Sequence, residues 1–282
     1  MHNVVTRYIE VLKPKETLLL TFIGVIAAVV AGAGSPPIGL LLVAFIAIAL
    51  GSGGCNGLTN YLDREVDARM SRTQRRVLPS KRISPPRKVL PLVVSLVALA
   101  LALAWLLHPL SFLFGLIGVV AAISWRKTGA THILGIVSSC APVLVGYLAI
   151  SKQLNPTILF MCLLIAAWVP LHVWSLMTSH REDYLGAGVR IFPVTWRVED
   201  TIKVLLGLAA VLYGASIGLY YFGDFGVIYL VVANILGATM VYATYRLLRR
   251  ITSRHAWLVY KFTAFPYLGI IFLTMGLDLW LR

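Results

Sequence analysis

Residues 38–56 read IGLLLVAFIAIALGSGGCN, and the chain runs on through 57–67 as GLTNYLDREVD. An unbroken apolar run of roughly 20 residues is what crosses a bilayer core as a helix. This one turns small and glycine-rich and then ends in carboxylates. The stretch therefore predicts a membrane span whose inner end carries acids, and the rest of the chain can be placed around it.

Similar runs occupy 17–33, 89–107, 110–125, 133–150, 157–177, 202–222, 227–245 and 258–280, joined by short connectors. The chain of 282 residues is 59% hydrophobic and 13% charged, with mean hydropathy +0.85, outside the range of soluble domains. Segments of this length predict an all-α integral membrane protein of about nine transmembrane helices, not a β-barrel. The helices are expected to bundle around a central cavity opening to the cytoplasmic side. No composition shift marks a boundary, so 1–282 reads as one domain.

The net charge of +14 would suggest nucleic acid in a soluble protein. Here the basic residues fall on alternate connectors, and all but Lys152 and Arg282 lie on one side. The positive-inside rule then predicts a cytoplasmic N-terminus, a C-terminus outside, a multi-pass cell-membrane location and no nucleic-acid partner. Ala31-Gly32-Ala33-Gly34 has the small residues of a signal-peptidase site, but the long apolar run and amphipathic start predict a retained span. Cys55, Cys140 and Cys162 are dispersed and indicate neither a disulfide framework nor a zinc site.

The longest polar stretches, 63–88 and 179–203, follow the second and sixth runs and open onto the same rim. Asp63 and Asp67 stand four apart, so a continuing helix projects both carboxylates from one face. Such a pair suits a hard cation, since Mg²⁺ takes one or two protein carboxylates and completes its shell with water and substrate phosphate. The competing reading pairs Asp63, Glu65 and Asp67 with Arg64, Arg69 and Arg72 on a solvated helix end. His172 and Trp174, at the end of the sixth run, precede Arg181-Glu182-Asp183-Tyr184 on that same side. A histidine there is either held by a neighbouring carbonyl or acts as ligand or base. Gly51, Ser52, Gly53, Gly54 and Gly57 either let helices approach closely or line a cavity wall. Acids crowd one rim and only Asp224 and Asp278 lie towards the other, which argues against a transporter with ionisable groups at the midplane.

These residues resemble the intramembrane prenyltransferases of the UbiA superfamily, and within it the heme-modifying branch. Leu12-Lys-Pro-Lys15 is similar to the family's opening signature. Asn60-Tyr-Leu-Asp-Arg-Glu-Val-Asp67, with Met70, Arg72-Thr73 and 75–79, is similar to its first aspartate motif. His172-Val-Trp174 through Asp183-Tyr184, Ala187-Gly188 and Pro193-Val194 resembles the second, and Trp125-Arg126-Lys127-Thr128 a shortened basic segment. The sequence departs at Thr59, where the family usually has Asn, and at Leu171, between Pro170 and His172.

The resemblance implies transfer of a farnesyl group from farnesyl diphosphate to a vinyl group of protoheme IX, giving heme O. Heme is then a substrate and Mg²⁺ the cofactor. Asp63, Asp67 and Asp183 are the implied Mg²⁺ ligands, and Asn60, Arg72, Arg76, Arg126, Lys127 and Arg181 the diphosphate contacts. Tyr61, Trp174 and Tyr184 are expected at the acceptor or allylic cation, or else as interface anchors, and His172 at the heme as axial ligand or base. A heme A synthase or a terminal oxidase assembly factor is the implied protein partner. The same chemistry serves quinone-precursor and glycerol-phosphate lipid branches, so the acceptor stays open at this level.

Overall fold

The computed structural model describes residues 4–124 and 129–282. They form helices throughout, with no strand among the described residues. A short amphipathic helix α1 (Val4–Val11) precedes α2 (Pro14–Ala31), α3 (Ile38–Asp67) and, after a long polar loop and a 3₁₀ turn (Pro86–Val89), α4 (Leu90–Leu107). Then come α5 (Pro109–Ile123), α6 (Thr131–Ser151), α7 (Pro156–Ser179) and the six-residue α8 (Arg181–Gly186). The chain closes with α9 (Val198–Phe222), α10 (Val227–Arg249), α11 (Ser253–Phe262) and α12 (Ile270–Trp280). A π-helical segment, Thr263–Gly269, containing Pro266 and a kink at Ala264, joins the last two into one interrupted span.

Among the described residues, eight helical segments are long and apolar enough to cross a membrane. The expected run at 110–125 becomes α5, a shorter apolar helix of 15 residues, ~22 Å at helical rise. Its boundaries have local causes. His108 accepts the Leu110 amide through Nδ1, Pro109 opens the helix, and the tight turn brings α5 back along α4.

The spans close into a ring: α3, α4, α5, α6, α7, α9 and α10 pack in succession, and α12 returns to α2, which lies against α3 and α6. Large apolar side chains such as Leu106, Leu18 and Ile133 point outward. That is the pattern of a lipid-facing surface. Backbones touch where α2 crosses α6: a Cβ on Gly24 would meet the Pro142 carbonyl oxygen at 2.6 Å, and one on Gly146 would collide with the Gly24 carbonyl. Small residues at such a crossing let dispersion forces hold helices that the hydrophobic effect does not drive together in lipid.

At the end away from the basic loops, Asp278 is buried and accepts the amides of Gly226 at 2.6 Å and Tyr229 at 3.1 Å, capping α10. Arg282 donates to the same carboxylate at 3.0 Å, and Trp280 donates to the Gly34 carbonyl at 2.7 Å. Asp278 thus serves as a cap where the ring closes.

Candidate active site

Helix α3 continues unbroken to Asp67, so Asn60, Asp63 and Asp67 share one face. All three are buried, with Asp63 6% and Asp67 3% exposed. This decides against a solvated helix end, because an ionised carboxylate is withdrawn from water only with compensating partners. Asp67 Oδ2 accepts from Arg76 Nη1 at 2.9 Å. Arg64 pairs instead with exposed Glu65, and its guanidinium lies over the Tyr61 ring. Asn60 donates through Nδ2 to the Val11 carbonyl at 2.6 Å, and its Oδ1 is buried with no hydrogen-bond partner. One amide oxygen without a donor beside two carboxylates on one helix face is an oxygen set that fits Mg²⁺.

The loop after α3 folds back on the second motif. Met70 buries its side chain among Met177, Tyr184, Ala187, Val189 and Val194. Asp183 accepts the Ser71 amide at 2.7 Å and the Arg72 amide at 3.3 Å, while Arg72 Nη2 approaches the Tyr184 hydroxyl at 3.5 Å. Thr73, fully buried, donates to the Asp67 carbonyl at 2.9 Å. Partial burial pulls the Asp183 carboxyl up, but the Ser71 and Arg72 amides and the Arg72 charge outweigh it and hold it below its ordinary range. Burial pushes the Tyr184 hydroxyl up against the opposing pull of Arg72.

The two motifs therefore meet, but not as expected. Asp183 spends its oxygens on two loop amides, and no group of three or more His, Cys, Asp or Glu suited to a metal occurs among the described residues. Arg181 donates through Nε to the Val194 carbonyl at 2.9 Å and so braces its own loop. Tyr61 packs with Val11, Val77, Leu78 and Ile83, behind the wall of the smaller cavity, and lines neither cavity itself. His172 is stacked between Trp168 and Tyr260, with Nδ1 2.8 Å from Thr263 Oγ1. That hydroxyl donates to the Tyr260 carbonyl, so Nδ1 is assigned as the donor to it. The histidine ties α7 to the kinked last span and is not among the residues that line either cavity. Arg126 and Lys127 lie outside the described residues.

Two cavities open beside this rim. One, of about 370 Å³, has Lys13, Asn56, Thr59, Trp174 and Tyr184 among its lining and continues between α3, α4, α5 and α6. The other, of about 250 Å³, is bordered by Lys13, Lys15, Asn60 and Arg76 with Glu10 and Glu16. Lys13 borders both. It sits at φ 49°, a left-handed conformation uncommon outside glycine, between the end of α1 and Pro14 at the start of α2. The two readings of the glycine-rich stretch divide by face: Gly54 and Gly57 leave room for Val93 and Val97 of α4, while Gly51 and Ser52 line the larger cavity.

Sequence reasoning passed over His132, Thr59 and Lys13 as cavity residues. Trp174 donates through Nε1 to His132 Nδ1 at 3.0 Å, which sets both on the cavity wall. Thr59 borders the larger cavity while Asn60 borders the smaller, so the shift by one residue divides the polar positions between them. Lys13 had a signal in Leu12-Lys-Pro-Lys15; His132 had none.

The profile of the UbiA prenyltransferase family matches residues 17–268. The chain is 36% identical to a protein of Desulforudis audaxviator named protoheme IX farnesyltransferase, over 98% of this chain and 89% of that one. Its fold is similar to that of digeranylgeranylglyceryl phosphate synthase, with TM-score 0.79 and 18% identity over 98% of both chains. A UbiA homolog from Archaeoglobus fulgidus, solved bound to GPP and Mg²⁺, superposes with TM-score 0.69 at 17% identity, over 97% of this chain and 99% of that one.

Proposed function

Since the chain belongs to the UbiA prenyltransferase family, and is on that ground a membrane-embedded prenyltransferase, we propose that it transfers a farnesyl group from farnesyl diphosphate to a vinyl group of protoheme IX, giving heme O. The observation that carries the reading is the buried oxygen set of Asn60, Asp63 and Asp67 on one face of α3, with Arg76 paired to Asp67 and Lys13 bordering both the smaller cavity that Asn60 and Arg76 line and the larger, helix-walled one. The acceptor follows from the near full-length likeness to the Desulforudis protein.

Asp63, Asp67 and Asn60 Oδ1 would hold Mg²⁺, which when bound supplies Lewis-acid charge at the diphosphate. Lys13, Lys15, Arg72 and Arg76 share the negative charge that grows as the allylic C–O bond breaks, and Arg126 and Lys127 are assigned the same task. Asp183 and Arg181 act on the site indirectly, holding the loops on which Arg72 and Tyr184 are carried. The apolar wall keeps water from the allylic carbon until the vinyl group attacks it and diphosphate leaves; water then adds to the cation left on the former vinyl carbon and loses a proton, which supplies the hydroxyl of heme O. Trp174 and Tyr184, both on the wall of the larger cavity, are assigned to stabilise the allylic cation through their rings. The basic connectors put this rim, and the N-terminus, on the cytoplasmic side of the cell membrane.

The test incubates detergent-solubilised protein with protoheme, farnesyl diphosphate and Mg²⁺, with a chelator control, and weighs the extracted heme. Hydroxyfarnesylated heme that disappears with chelator is the expected result. Unmodified heme, with turnover on an aromatic or glycerol-phosphate acceptor instead, assigns the protein to a sister branch.

A further inference from the structure

The larger cavity has a floor as well as a mouth. On α3 its lining runs from Thr59 to Ala47, ~18 Å along the helix, and on α6 from Thr131 to Val145, ~21 Å. Two independent helices thus give the same depth. The deep end is closed by Ile48, Ala104 and Val145, all buried, with Phe112 against them. Ala47, the last lining residue on α3, packs with Ala44, Leu107 and Ala149 in a buried layer beneath that end. Ile48 is pinned from behind, its Cδ1 lying 2.8 Å from where a Cβ on Gly24 would stand at the α2–α6 crossing.

An extended farnesyl chain, twelve carbons along its backbone, spans ~15 Å at ordinary C–C bond lengths. One more isoprene unit takes it to ~20 Å. With the diphosphate held above Thr59 at the level of Asp63, the shorter chain ends above the floor and the longer one meets it. We infer that Ile48, Ala104 and Val145 set the prenyl chain length, making the floor of this cavity the specificity-determining element of the donor site. The inference rests on the prenyl-transfer reading above. It adds which residues select the donor and in which direction each change shifts the choice.

The two ends of the residue-size range make opposite predictions. Ala104→Phe raises the floor by more than a methylene and shifts preference from the 15-carbon to the 10-carbon diphosphate; Ile48→Ala lowers it and admits the 20-carbon donor. A single methylene in an apolar pocket changes discrimination about tenfold or more, so each ratio of kcat/KM should move by at least roughly tenfold.

The experiment measures binding of the 10-, 15- and 20-carbon thiolodiphosphates to parent, Ala104→Phe and Ile48→Ala, alongside prenyl transfer to protoheme with the natural donors. Binding needs no acceptor, so it reads the floor even if protoheme proves not to be the substrate. Opposite shifts in the two variants support the inference. A parent that binds the 20-carbon chain as well as the 15-carbon one overturns it, as do variants that elute monodisperse and keep the parent's profile. Loss of transfer to protoheme with the binding profile intact overturns only the acceptor.

Discussion

Replacing Asp183 separates a residue that positions a loop from one that binds metal. In the structure its two oxygens accept the Ser71 and Arg72 amides, at 2.7 and 3.3 Å. A hydrogen bond to a charged group contributes about 1.5–3 kcal/mol, and the partial exposure of this site argues for the lower end. Asp183→Ala then removes about 3 kcal/mol of docking energy, and Asp183→Asn, which keeps one carbonyl acceptor, about half of that. At 1.4 kcal/mol per decade, the opening equilibrium of the loop rises ~100-fold in the first variant and ~10-fold in the second. Hydrogen exchange of the peptide covering Ser71 and Arg72, in detergent, reads that equilibrium directly. The Mg²⁺ concentration for half-maximal activity should not move in either variant. Parental protection in Asp183→Asn, together with a higher Mg²⁺ requirement, would refute the positioning role and return the residue to the metal.

The same carboxyl gives a pH test. Its folded value lies below the unfolded one, so its contribution is complete above the ordinary Asp range and is lost as pH falls from there through the folded value; exchange of the Ser71 peptide, corrected for intrinsic rate, should stay flat from neutral pH down to the ordinary Asp range, rise as pH falls through it, and level off below the folded value. Asp63→Asn and Asp67→Asn should abolish prenyl transfer while the protein still accumulates in the membrane, and activity within a few-fold of parent in both would remove the metal assignment. His172→Ala should lower the melting temperature by emptying the stack between Trp168 and Tyr260 and leave the KM for heme unchanged; an altered heme KM at parental stability would make it a substrate contact. Gly146→Val should prevent α2 from seating on α6, costing about 1–3 kcal/mol or more of strain, seen as loss of monodisperse protein; normal yield and stability would show that the crossing relaxes freely.

Much of this architecture was legible because lipid admits few backbone solutions. Runs such as 38–56 must be helical, and the charge pattern of the connectors pairs their ends. The carboxylate pair was legible too, since α3 simply continues to Asp67. What periodicity does not encode is which loop atom a side chain meets. Asp183 looks equally ready for metal or amide in one dimension, and only the fold brings Ser71 and Arg72 to it. His172 read as a ligand or base because the polar segment Arg181-Glu182-Asp183-Tyr184 follows it on the same side, whereas its neighbours in space are Trp168, Tyr260 and Thr263. His132 sits in a stretch with no motif of its own and acquires its place on the cavity wall through Trp174. The start of α5 at Pro109 follows from the His108 turn, which hydropathy cannot see.

The closure between α12 and α2 bears on how the protein is assembled. Helix α2 is made before the other spans of the ring, yet its flank towards α12 is covered only after α12 arrives, when Asp278 caps α10 and Trp280 reaches Gly34. During synthesis the nascent bundle is thus an open crescent, with lipid standing where the final helix will lie. Bilayer tails solvate such an apolar flank about as well as a neighbouring helix does, so the waiting intermediate carries no aggregation penalty of the kind an exposed core has in water. Polar capping at the seam, which lipid does not satisfy, then makes the final closure directional.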